Sequence, residues 1–215
     1  IAFFKAFVYL DLVRRWGDCV MIQDEVELKP IGKTTWPKVT DYAITLAKEA
    51  ARLLPEWNEL KESSGTSVSH RARPCKGAAN AVLAHLCAWK AGCKYMAQPQ
   101  DRDYDEQQLW RMVDSACSAI INRQDIYDLE STPDEVCTKT FVDGGKECIF
   151  ESVFRGYWNE FDEMTESNMT NLGRRYEAYP AIPGKKIGDN KKTEYRILNS
   201  TVREMFQDYT DGSTP

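Results

Sequence analysis

The side chains best suited to chemistry lie together at Arg155-Gly156-Tyr157-Trp158-Asn159-Glu160-Phe161-Asp162, with Tyr176 and Tyr179 further along. Flat aromatic faces stack on the apolar C–H faces of sugar rings, while the planar forks of Arg, Asn and carboxylate groups match vicinal hydroxyls. Arg155, Tyr157, Trp158 and Asn159 are therefore candidate ligand-binding residues, and a carbohydrate is the chemistry they fit. The competing reading is burial, in which Tyr157, Trp158 and Phe161 plug a loop onto neighbouring helices through buried area alone. Trp36 is a fifth candidate, although it precedes Pro37 at a helix start, where a staple-like packing role accounts for it equally well.

Support for catalysis is thin. Glu160, Asp162, Glu163 and Glu166 are acids beside the aromatic cluster, and cleaving a glycosidic bond takes two carboxylates held at a defined separation. Nothing in their spacing selects such a pair, and a solvated acidic loop explains them. His70 sits among Ser67, Ser69 and Arg71 in a polar stretch, and His85 lies in an apolar helical run where a hydrogen-bonded core histidine is expected. Neither has the partners of a triad or a metal site. The seven cysteines form no C-x-x-C pair or His-containing ligand set. Cys87 and Cys117 read as small buried hydrophobes, and Cys137 with Cys148 could close a hairpin-like loop if their geometry allows. Gly144-Gly145-Lys146 lacks the remaining spacing of a phosphate loop and reads as a turn. The expectation is binding without catalysis, with no metal and no cofactor.

Composition narrows the partners. At 215 residues and 42% apolar content the chain can bury one substantial core, and no stretch is long and apolar enough to span a bilayer as a helix. A net charge of −5 without a Lys/Arg-rich run argues against nucleic acid, because that affinity comes from clustered cations releasing counterions.

Helical periodicity supplies the scaffold. Phe3, Ala6, Phe7, Leu10, Val13 and Arg14 follow the i, i+3, i+4 rhythm of a buried face, closed by Gly17 and followed by an extended Cys19-Val20-Met21-Ile22. The chain opens inside this helix, so the sequence reads as an internal piece of a longer protein. Val39, Tyr42, Ala43, Leu46, Ala50, Leu53 and Leu54 form a second stripe ending at Pro55. Lys76 to Ala91 is so rich in Ala, Leu, Val and Cys that it must be covered nearly all round. Leu109, Met112, Val113, Ala116, Ile120 and Ile121 form a fourth stripe behind an acidic first turn at Asp103, Asp105 and Glu106. The four helices make two similar hairpins, a tetratricopeptide-like arrangement with loops longer than a tight repeat allows. From Ser131 the character changes: Thr132-Pro133 starts a short helix, Cys148-Ile149-Phe150 is a strand or extended-core candidate, and residues 152–192 lack periodicity. The expected fold is mostly α, with a helical part over 1–130 and a loop-rich part of the same domain over 131–215.

Five segments in register carry a family resemblance. The aromatic helix ending Arg14-Arg15-Trp16-Gly17-Asp18, the Lys48-Glu49-Ala50-Ala51-Arg52-Leu53-Leu54-Pro55 helix, the helix from Arg73-Pro74-Cys75-Lys76-Gly77 to Ala84, the Lys146-Glu147-Cys148-Ile149-Phe150-Glu151 segment and Val202-Arg203-Glu204-Met205-Phe206 before Asp211-Gly212 all fit one pattern. In that order they resemble the SusD/RagB family of outer-membrane nutrient-binding lipoproteins. Cys19-Val20-Met21 departs from the family's usual Val-Pro-Leu type turn. The resemblance implies tetratricopeptide-like helix pairs and a surface role: capture of an oligosaccharide or other nutrient and its delivery to a TonB-dependent, SusC-like outer-membrane transporter. It also implies a cell-surface location through a lipid anchor upstream of Ile1, and a further C-terminal portion beyond Pro215. Two readings from other classes compete, a tetratricopeptide-type protein-interaction adaptor, which a reducing compartment and free thiols would suit, and a glycoside hydrolase.

Overall fold

The computed structural model describes residues 1–23, 30–140 and 144–152. Helix α1 runs Ala2–Trp16 and buries Phe3, Ala6, Tyr9, Leu10 and Val13. Arg14 and Arg15 occupy its last turn, where cations oppose the helix dipole favourably. Gly17 then takes φ +68°, a conformation that other residues resist, and its N–H still closes on the Val13 carbonyl. The turn feeds a short antiparallel ribbon, β1 (Cys19–Val20) against β2 (Lys33–Thr34), with Cys19 opposite Thr34 and Val20 opposite Lys33. Tyr9 ties this ribbon's exit to α1: the Ile22 N–H donates to its hydroxyl at 2.7 Å, and the same hydroxyl donates to the Ile22 carbonyl at 3.2 Å.

Helix α2 (Trp36–Leu53) carries Pro in its first turn and stops before Pro55, which holds the preceding residue out of helical geometry. A single 3₁₀ turn, Trp57–Glu59, and a loop around Gly65 lead to α3 (Lys76–Gly92). The Lys76 N–H donates to the Pro55 carbonyl at 2.8 Å, so the start of α3 is pinned to the end of α2. Helix α4 (Glu106–Ile121) begins at Asp105, whose carboxylate accepts from the N–H groups of Gln107 and Gln108. That satisfies two of the donors every helix start leaves open.

Each helix packs on the next in sequence, and α3 lies between α2 and α4 while also touching α1. The core follows from this: Leu86, Val39, Cys75 and Cys87 are fully buried, with Ala78 and Ala79 letting neighbours come close. The helical fold and the central place of α3 agree with the periodicity. Thr132 caps the turn Pro133–Glu135 as its sequence predicts, and the backbone then widens into a π-helical turn at Val136–Thr140. Among the described residues the loop-rich part that the sequence reading begins at 131 is seen only as far as Ser152.

Several side chains depart from expectation. Phe7 is 42% exposed and Arg14 faces outward, because the buried stripe of α1 turns through Tyr9 instead. Leu53 and Ile121 end their helices in solvent. His85 is exposed on the one open side of α3, not in the core. Cys148-Ile149-Phe150 is not a strand but runs into a bend at Ile149-Phe150, and Ile149 and Phe150 pack against the core, the Phe150 ring meeting Phe3 edge-on at 5.1 Å. Cys137 and Cys148 are free, as are the other five cysteines, and Cys117 is only half-buried.

Candidate functional site

Of the five candidate ligand residues, Arg155, Tyr157, Trp158 and Asn159 lie outside the described residues, as do Phe161, Tyr176, Tyr179 and the acids around them. Trp36 is described. It is the first residue of α2, only 8% exposed, and belongs to the main core. Its N–H donates to Asp18 Oδ1 at 2.8 Å, so the Gly17-Asp18 turn that ends α1 also closes the start of α2. Among the described residues the Thr35 hydroxyl at the cap position finds no hydrogen-bond partner. A ring with so little free surface packs a helix start and offers no open face for stacking.

The densest polar chemistry among the described residues centres on Arg71, which is 2% exposed. Its guanidinium carbon lies 4.4 Å from the centre of the Trp57 ring and 4.9 Å from that of Tyr127, an attraction between cation and π-face on each. Nη2 donates to the Ile126 carbonyl at 2.8 Å, while among the described residues Nε and Nη1 find no hydrogen-bond partner, nor does Trp57 Nε1. The backbone is held as tightly. Arg71 N–H donates to Glu151 Oε1 at 2.7 Å and Glu151 N–H donates to the Arg71 carbonyl at 3.1 Å. His70 Nδ1 stands 3.6 Å from the same carboxylate oxygen. One arginine thereby gathers the loop before α3, the segment after α4 and the stretch ending at Ser152.

Beneath it, Tyr127 reaches the start of α3, its hydroxyl 3.3 Å from Cys75 Sγ. Burial first, and then the Cys75 bond and charge, push the Tyr127 phenol well above the ordinary tyrosine range. Burial likewise raises the thiols of Cys19, Cys93 and Cys148, and takes Cys87 to about 11. A nucleophilic cysteine needs the opposite shift.

A second knot joins α2, α3 and the entry to α4. Lys90, 3% exposed, places Nζ 2.5 Å from Asp41 Oδ1 and 4.3 Å from the Tyr104 ring centre, with Lys94 Nζ at 4.9 Å from the same ring. The Tyr104 hydroxyl donates to the Lys90 carbonyl at 2.8 Å. Burial, helped by the nearby Glu106 and Asp41, pushes that phenol to about 12. Both knots escaped the sequence reading. Lys90 interrupts an apolar helical run and Arg71 sits in a polar loop, so only the interruption in α3 carried a signal.

These groups lock segments together. Among the described residues no set of three or more His, Cys, Asp or Glu side chains is arranged to hold a metal ion, and no helix is long and apolar enough to cross a membrane.

No protein-family model matches the chain, and no curated protein matches it. A solved structure does. The crystal structure of a SusD-like protein from Bacteroides fragilis NCTC 9343 superposes with a TM-score of 0.52 at 18% sequence identity, over 73% of this chain and 27% of that one. The chain thus spans about a quarter of the length of the protein it matches. At that identity the likeness concerns the path of the backbone, and it agrees with the order of helices described above: the chain has a SusD-like fold.

Proposed function

We propose that the chain is part of a surface nutrient-binding protein of the SusD type, one that captures an oligosaccharide or other nutrient and performs no catalysis on it. The observation that carries this reading is the SusD-like backbone over 73% of the chain. The aromatic and fork-bearing residues Arg155, Tyr157, Trp158 and Asn159 supply the sugar-directed chemistry. In this reading the captured ligand passes to a TonB-dependent transporter of the outer membrane, and a lipid anchor outside these residues holds the protein at the cell surface. Residues 1–130 act as the helical scaffold and 131–215 as the loop-rich, ligand-facing part.

The test is a glycan array followed by calorimetry on the full-length protein. Saturable binding of at least one oligosaccharide without its breakdown supports the proposal. Release of shorter sugars would turn the reading toward a glycoside hydrolase, and absence of binding across the panel would remove the carbohydrate. A second reading, a tetratricopeptide-type adaptor, draws on the seven free cysteines, which a reducing compartment tolerates. The upstream reading frame separates the two: a signal peptide ending in a lipobox cysteine supports the surface protein, and a coding sequence without one supports the adaptor.

A further inference from the structure

We draw no further inference here: the strongest candidate, the exposed apolar face at the start of α1 formed by Ile1, Phe4, Phe7 and Val8, carries nothing because no feature among the described residues shows what covers it.

Discussion

Gly77 lies in the first turn of α3, where a Cβ would stand 2.1 Å from the Tyr127 hydroxyl oxygen and 2.6 Å from the ring carbon that bears it. The phenol cannot swing aside freely, since Arg71 lies over its ring and Cys75 contacts its hydroxyl. Alanine favours a helix interior over glycine by up to about 1 kcal/mol, whereas forcing extra volume into a packed site costs about 1–3 kcal/mol. The overlap wins, so Gly77→Ala should lower the unfolding free energy by about 1–2 kcal/mol in a urea titration; a variant as stable as the parent would mean that Tyr127 is free to move. The same phenol gives a pH signature. Its proton is held in the folded state beyond the point, near pH 10, where an unfolded tyrosine loses it. The stabilisation is therefore complete below about pH 10 and declines as pH rises above it. Tyr104, raised to about 12, acts in the same sense. Urea midpoints taken at pH 9, 10 and 11 should fall less steeply in Tyr127→Phe than in the parent, and parallel slopes would show that the hydroxyl is not protected by folding.

At the scale of elements, the hydrophobic rhythm of α1, α2, α3 and α4 was enough to find all four helices, because each buries one continuous stripe and ends at Gly17, Pro55, Gly92 or the exposed Ile121. The details that rhythm misses share a cause: they depend on what lies opposite in space. The extended Cys19-Val20 was legible, but its partner β2 escaped notice because Lys33-Thr34 is two residues long and polar, and its pairing is set by the Gly17 turn and Tyr9, not by its own pattern. Phe7 looked like core because it shares the spacing of Phe3 and Leu10, yet it stays 42% exposed against Phe150. Arg71 and Lys90 were illegible as buried residues, since their burial depends on Trp57, Tyr127, Tyr104 and Asp41, all distant in sequence. Helix α3 is the element on which the others rest, and Leu86 is its largest fully buried side chain. Leu86→Ala should destabilise the protein by about 2–5 kcal/mol through lost burial and the cavity left behind. Denaturant titration checks it, and an unchanged midpoint would contradict the central position of α3.

For the whole molecule, the described helices and the proposed sugar-binding residues occupy different stretches of chain. The SusD-like likeness extends over 73% of the chain, and the arginine and lysine knots lock the connections between the helices of residues 2–121. The residues proposed to meet a sugar come after Glu151, which binds the Arg71 backbone through both its carboxylate and its N–H. A sugar platform is proposed there because stacking rings and hydrogen-bonding forks occur together without helical periodicity; the alternative, an aromatic plug, has the same composition and differs only in what covers the rings. Stability and affinity respond oppositely in the two cases, because a binding aromatic is partly exposed when free and a plug is buried always. The direct test is calorimetric titration of an oligosaccharide identified by the glycan screen into full-length protein and its Trp158→Ala variant, with the melting temperature of each. The account predicts binding weaker by about 1 kcal/mol or more with the melting temperature nearly unchanged. Intact binding with a marked fall in melting temperature would contradict it, making Trp158 a core residue and putting the sugar site elsewhere.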